Sequence, residues 1–313
     1  MKIYHHQQFD DAPVLCQRKQ EQAQTISVVI PTLNEESTIA AIVTKVREKL
    51  LEQVPLVDEI IVVDSGSTDR TCAFAAAAGA RVYAAAEIAP EFGDHPGKGE
   101  NLWKSQFVSS GSICVFIDGD ILDFHQGFVT GLVGPLLKNP EVDYVKAFYR
   151  RPLQTAVEPS SHGGGRVSEL LMRPLFSLFY PQLCEFHQPL AGEYAVRRSL
   201  LERLAFPSSY AVETAHLIDA LALGGIAGFA QCDLDARTHR NRPLDELGAM
   251  ACSILQVFLQ RAERDGLLHL PEQLGKSYIR HVATEQGWRM EEMPIPNLER
   301  PPFVSLNATN QRP

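Results

Sequence analysis

The sequence predicts an α/β fold with a mostly parallel central sheet covered by helices. Three observations predict it. Short β-branched runs alternate with stretches of helical periodicity. The runs are apolar throughout rather than at every second residue, and a polar cluster follows several of them. Strands buried on both faces read as continuous apolar runs, and strands alternating with helices wind into a parallel sheet.

The elements follow in order. Residues 1–24 read as an N-terminal arm rich in Gln and charge. Ile26–Ile30 is a first strand stopped by Pro31, and Asn34-Glu35-Glu36-Ser37-Thr38 opens a helix carrying Ile39, Ile42, Val43 and Val46. Ile60–Val63 is a second strand, ending in the turn "DSGSTD" before an Ala-rich helix from Cys72 to Ala78. Arg81–Tyr83 is a third strand. A glycine-rich loop through Gly93, Gly97 and Gly99 leads into a helix through Leu102 and Phe107, and Ile113–Ile117 is a fourth strand. Val142–Tyr149 and Ala227–Leu234 read as later strands. Helices are expected through Leu170–Leu178, over Ala211–Leu223 and from Pro243 to Leu267, and the tail from Pro294 reads as extended or disordered. The expected organisation is a catalytic domain over 25–242, with halves 25–121 and 122–242, and a C-terminal helical extension and tail over 243–313.

The 313 residues suffice for one large α/β domain with an extension, and 45% hydrophobic residues supply a core. A net charge of −9 argues against a protein built to grip nucleic acid. No apolar stretch approaches the ~20 residues that cross a bilayer. The start "MKIYHHQQFDDAP" lacks the pattern of a signal peptide, and the six cysteines show no C-x-x-C spacing. A cytoplasmic protein with reduced, mostly buried thiols is expected, and no zinc site is expected.

Ligands of parallel sheets bind where strands end. Asn34-Glu35, Asp64-Ser65 and Asp118/Asp120 all follow predicted strand ends, so three polar clusters should converge. "FIDGDI" carries two carboxylates on one side of an extended chain, with Gly119 between them. Asp-Gly is also an ordinary turn dipeptide, but two such acids suit Mg²⁺ or Mn²⁺ with substrate phosphates. Lys98, between two glycines before a helix, suits a phosphate or is simply solvated; "HPGKGENLW" fails the P-loop pattern. An acid at Asp64 could meet a nucleotide's ribose or base, though the first turn lacks G-x-G-x-x-G. "HGGGR" at 162–166 lacks a partner nucleophile elbow and suits a small anion instead. "RTHRNRP" at 237–243 offers His239 as a further metal ligand. By residue type alone Glu213 reads as an exposed helix acid.

Those stretches, with "VVIPTLNEES", "VDEIIVVDSGSTD", "VKAFYRRPLQ", "GGGRVSELLMRPL", "QPLAGEYAVRR" and "HRNRPLDELGAM", resemble the glucosyl-3-phosphoglycerate synthases over roughly residues 25–265. These are retaining glycosyltransferases of the GT-A fold. The resemblance implies transfer of glucose from a nucleoside-diphosphate (NDP) glucose to the 2-hydroxyl of 3-phosphoglycerate with Mg²⁺ or Mn²⁺, by a homodimer. It implies that Pro31, Leu33, Glu35, Ser65, Lys98, Asp118 and Gly119 line the nucleotide-sugar site. Gly165, Arg166, Ser168 and Asn241 would hold the acceptor, Asp120 and His239 the metal. Asp118, Asp120, Lys98 and Glu213 would be the catalytic group. Gly119 and Ser168 depart from the Ser and Thr usual in that pattern. The alternatives are a mannosyl- or glucosyltransferase acting on glycerate or another small acid, and a nucleotide-sugar-binding module without turnover.

Overall fold

A computed structural model describes residues 1–150, 165–238, 244–295 and 298–306. The strands Lys2–His5 (β1), Ile26–Thr32 (β2), Glu59–Asp64 (β3), Arg81–Ala84 (β4), Ile113–Phe116 (β5), Tyr144–Arg150 (β6) and Tyr194–Arg197 (β7) join one sheet with Phe229–Ala236 (β9). The two-residue strand Phe206–Pro207 (β8) lies outside it. The order is β1-β9-β6-β7-β5-β2-β3-β4. β7 runs antiparallel to β5 and β6, and every other pairing is parallel. β2 is buried at every position except Pro31, as the apolar run Val28–Ile30 requires, with Ser27 and Thr32 buried beside it.

Alternate residues of the strands feed two cores. Val28, Ile30, Val62 and Val115 pack under helices Ala12–Glu21 (α1), Ile39–Val46 (α2), Thr71–Ala78 (α3) and Gly127–Lys138 (α5). Val29, Ile61, Val63 and Phe116 pack under Lys98–Val108 (α4), Arg173–Phe179 (α6), Val212–Gly224 (α8) and Leu244–Arg264 (α9); the short Arg198–Leu201 helix (α7) follows β7. Each fully buried Val or Ile on these faces contributes about 1.5–3 kcal/mol.

Residues 1–24, read from the sequence as an arm, hold β1 and α1, with β1 as the outer strand beside β9. An edge strand keeps one side in solvent and needs no apolar run, which is why "KIYH" gives no strand signal. The arm docks where α5 is thin. A Cβ at Gly134 would come within 2.2 Å of the Phe9 ring, so glycine there lets the arm approach.

Beyond α9 the extension is not helical alone. Ser277–Thr284 (β10) and Gly287–Pro294 (β11) form an antiparallel hairpin, and Glu299–Arg300 (β12) pairs with β8. The tail from Pro294 is therefore partly ordered. Buried Arg300 donates to both oxygens of Glu100 at 2.6 and 2.7 Å, tying residues 299–300 to α4.

The strand directions place the site. β2, β3, β5, β6 and β9 end at one edge, and antiparallel β7 begins there, with Tyr194 opposite Phe116. Residues after five strands and before a sixth therefore face one another.

Candidate active site

Each turn at this edge is held by its own side chains. Asp64 accepts from Thr32 Oγ1 at 2.9 Å, Gly66 N at 3.0 Å, and both N and Oγ of Ser67 at 2.7 and 2.5 Å. Its carboxylate is buried and takes these hydrogen bonds on both oxygens, from β2 and from its own turn, at the position where a nucleotide's ribose or base was expected. Ser65 donates to Asn101 Oδ1 at 2.9 Å, and Asn101 is itself fixed to Val63 O. The Glu35 backbone N–H donates to Thr71 Oγ1 at 2.7 Å.

The "DGD" turn leaves β5 with Ile117 N still bonded to Val29 O. Thr38 Oγ1 donates to Gly119 O at 2.5 Å, and a Cβ on Gly119 would lie 3.1 Å from Thr32 Cγ2 and 3.3 Å from Glu35 Cγ. The departure to glycine relieves a tight contact here and removes no ligand atom. Gly192, just before β7, presses on Asp118 from the other side: a Cβ there would stand 2.1 Å from Oδ2.

Lys98 is not a mobile loop lysine. A Cβ at Gly99 would sit 1.8 Å from Pro207 O and one at Gly97 2.3 Å from Ser208 O, so the loop lies against the backbone of 207–208. From the first residue of α4, the Lys98 ammonium reaches Asp118 Oδ1 at 2.5 Å and Glu213 Oε1 at 2.8 Å. Burial works against its charge, but the carboxylates of Asp118 and Glu213 outweigh that and raise its pKa above the usual lysine value. Glu213 is only 4% exposed, correcting its reading as a surface acid. It stands in the first turn of α8, a helix buried from Val212 to Ala220.

Sequence reasoning missed the residue that joins the acids. Arg237, directly after β9 and buried, donates from Nη2 to Asp118 Oδ2 at 3.1 Å and Asp120 Oδ1 at 2.6 Å. Its Nε is 3.2 Å from Glu193 Oε1. Tyr149 at the end of β6 donates to Glu193 Oε2 at 2.7 Å. Burial raises the Glu193 pKa, with Arg237 opposing. Three arginines in "RTHRNRP" were the available signal, but nothing in the sequence singles out the first. Beneath the cluster, Lys146 is fully buried with an Nζ that finds no hydrogen-bond partner among the described residues, and burial pushes its pKa down to about 8.

Pro31, Leu33, Glu35, Ser65, Lys98, Asp118, Gly119, Asp120, Gly165, Arg166, Ser168 and Glu213 all line one cavity of about 340 Å³. His239 and Asn241, with the start of the glycine loop at His162–Gly164, lie outside the described residues. Four carboxylates (Asp118, Asp120, Glu193 and Glu213) thus contact two cationic side chains, Lys98 and Arg237. Asp120 Oδ2 takes no hydrogen bond among the described residues. Clustered acids with a carboxylate oxygen open to a cavity fit a hard divalent cation. No helix among the described residues is long and apolar enough to cross a membrane.

Comparison with known proteins agrees. The family model "Glycosyl transferase family 2" matches residues 27–204. A glucosyl-3-phosphoglycerate synthase from Petrotoga mobilis is 46% identical over 307 residues, 97% of this chain and 94% of the relative. The crystal structure of mannosyl-3-phosphoglycerate synthase from Rubrobacter xylanophilus superposes with a TM-score of 0.90 at 37% identity, covering 97% of each chain. That of glucosyl-3-phosphoglycerate synthase from Mycobacterium tuberculosis with Mn²⁺, UDP-glucose and phosphoglyceric acid gives 0.85 at 40% identity, covering 98% of this chain and 99% of the other. A mixed sheet with an acid pair at its strand ends and a family match of this extent define a glycosyltransferase. The chain belongs to glycosyl transferase family 2 and, within it, to the glucosyl-3-phosphoglycerate synthases.

Proposed function

We propose that the protein transfers glucose from a nucleoside-diphosphate glucose to the 2-hydroxyl of 3-phosphoglycerate with retention of configuration. The observation that carries this is the placement of Lys98, paired with Asp118 and Glu213, in the same cavity as Arg166. The M. tuberculosis relative, solved with Mn²⁺, UDP-glucose and phosphoglyceric acid, supports both substrate classes.

Pro31, Leu33, Glu35 and Ser65 at the ends of β2 and β3 are assigned to the nucleotide, with Lys98, Asp118 and Gly119 toward the diphosphate. Asp120 and His239 would hold Mg²⁺ or Mn²⁺. Thr238 N donates to Asp123 Oδ1 at 3.0 Å, three residues beyond Asp120 of the "DGD" turn. When bound, the ion supplies positive charge against the diphosphate as it departs. Lys98 adds a fixed ammonium at the same place, so its attraction grows as the leaving group gains charge. Arg237 keeps Asp118 and Asp120 oriented while neutralising part of their repulsion.

The acidic acceptor is assigned to Gly165, Arg166, Ser168 and Asn241. In the transfer, the bond from the sugar's anomeric carbon to the phosphate oxygen breaks, and the acceptor 2-oxygen bonds to that carbon on the same face. The hydroxyl proton passes to the departing phosphate oxygen. Glu213, held by Lys98, is assigned to orient the acceptor and sugar rather than to attack; a trapped glucosyl adduct on Glu213 would refute this.

A homodimer is part of the same proposal, checked by sedimentation. A mannosyl donor is the second reading, favoured by the likeness to the R. xylanophilus mannosyl enzyme. Release of nucleoside diphosphate, measured over a panel of nucleotide sugars with and without 3-phosphoglycerate, tests both. Glucose donors should turn over only with the acceptor present. Preference for mannose donors would move the chain to the second reading, and no acceptor dependence would overturn both.

A further inference from the structure

We infer that His5, His6 and Asp235 form a second divalent-cation site, suited to a zinc-type ion, that clasps edge strand β1 to the end of β9. His5 Nε2 lies 3.1 Å from Asp235 Oδ1 and His6 Nε2 lies 2.7 Å from Oδ2. The three potential ligand atoms all fall within 4.8 Å of one another. Zinc takes imidazole and carboxylate ligands at roughly 2.0–2.2 Å, so neighbouring ligand atoms in a tetrahedral site stand about 3.4 Å apart. To admit the ion, the pairs at 2.7 and 3.1 Å would open and the widest separation, up to 4.8 Å, would close by about 1 Å, a movement within reach of side-chain rotation at partly exposed His5 and Asp235. Two imidazoles and one carboxylate select a borderline ion such as Zn²⁺ or Co²⁺ over Mg²⁺ or Ca²⁺.

The acid is aimed by its backbone. Asp235 adopts a left-handed conformation at φ 69°, unusual for a residue with a side chain. Its N–H donates to Asp233 Oδ1 at 2.9 Å, and its carbonyl accepts from Arg150 Nε at 3.3 Å. With 40% of the Asp235 side chain and 35% of that of His5 exposed, an ion can reach the site from solvent.

A second observation concerns His6, whose side chain is 10% exposed. Its Nδ1 is buried without a hydrogen bond among the described residues, 3.6 Å from Asp10 Oδ1. When Nε2–H donates to Asp235, the Nδ1 lone pair faces a carboxylate. With a cation on Nε2 the proton moves to Nδ1 and points at Asp10, the carboxylate–histidine–metal arrangement. His5 Nδ1 would give up its 3.3 Å bond from Gln7 N in exchange. A proton in place of the ion would also satisfy the orphaned Nδ1 of His6, and this is the competing explanation. Asp235 lies two residues before Arg237, so a bound ion would steady the strand end from which Arg237 reaches Asp118 and Asp120.

The test is a Co²⁺ titration of the tag-free, metal-stripped full chain carrying Asp120→Asn, which disables the donor-site metal. One equivalent of Co²⁺ should give the intense visible bands of a tetrahedral site, and Zn²⁺ should displace it. His6→Gln and Asp235→Asn should each weaken binding by more than tenfold, and Asp10→Asn by about 10-fold or more. Absence of such bands, or bands of unchanged affinity in His6→Gln, would overturn the inference and leave a protonated hydrogen-bonded clasp. Circular dichroism checks folding; if His6→Gln does not fold, the more exposed His5→Gln carries the comparison with the same two outcomes.

Discussion

The Lys98 ammonium lies 2.8 Å from Oε1 of Glu213, joining the first residue of α4 to the first turn of α8 across the floor of the cavity. Glu213 is buried and only 13% of the Lys98 side chain is exposed, so the pair is screened little by solvent and fixes a positive charge in place before any substrate arrives. Lys98→Met removes the cation paired with Glu213 and Asp118. Turnover at saturating substrate should fall by about 10²–10³-fold, as for other lost transition-state donors, and stability by about 3–5 kcal/mol, as for a broken buried pair. Turnover within tenfold of the parent, measured by nucleoside diphosphate release on folded protein, would remove Lys98 from the chemistry.

Arg237 carries a different expectation. Its guanidinium holds Asp118, Asp120 and Glu193 together, so Arg237→Gln leaves three acids facing one another. The melting temperature should drop in metal-free buffer and recover in part with Mn²⁺, which takes over the neutralisation of the acids. A melting temperature unmoved by the substitution, or indifferent to Mn²⁺ in the variant, would contradict this.

Arg166, assigned to the acceptor, should affect the two substrates differently. Loss of its contact to the acceptor in Arg166→Ala should cost about 2–3 kcal/mol, seen as a raised KM for 3-phosphoglycerate with the donor KM nearly unchanged. Equal effects on both constants would place the arginine elsewhere in the cavity.

Lys146 makes stability depend on pH. Burial lowers its folded pKa to about 8, below the unfolded value of 10.5, so the unfolded chain binds more protons between those values. Stability should therefore rise with pH across that window, by about 1 kcal/mol between pH 7.5 and 9. Lys98, whose folded pKa is raised, acts only above 10.5, and the thiols of Cys72 and Cys114, pushed up to about 11, oppose the rise above about 9. Urea unfolding of the parent and of Lys146→Met isolates the lysine: the variant should lose the rise. Parallel pH profiles would contradict it.

The interior strands β2, β3 and β5 were legible because a strand buried on both faces must be apolar at every position. What lay at the margins was not. β1 shows no apolar run because it is an edge, and nothing in "QPLAGEYAVRR" marks β7 as the one reversed strand. Helix α5 carries Gly127, Gly131, Gly134 and an internal Pro135, poor helix formers tolerated because the helix is buried along nearly its whole length. The same burial concealed Glu213: α8 has no polar stripe from which to tell an inward acid from an outward one. The acid pair and Lys98 could be read because each follows a strand or opens a helix in a glycine-bearing turn. Arg237 and Glu193 could not, since their pairing depends on bringing the end of β9 to the start of β7.

The most direct measurement is turnover of the parent and of Asp120→Asn across a Mn²⁺ titration from an EDTA-treated start. The parent should be inactive in EDTA and activated by Mn²⁺, while Asp120→Asn should stay folded and inactive at every concentration. Full turnover of the parent in EDTA, or metal-independent activity of Asp120→Asn, would contradict a leaving diphosphate neutralised by an ion on these acids.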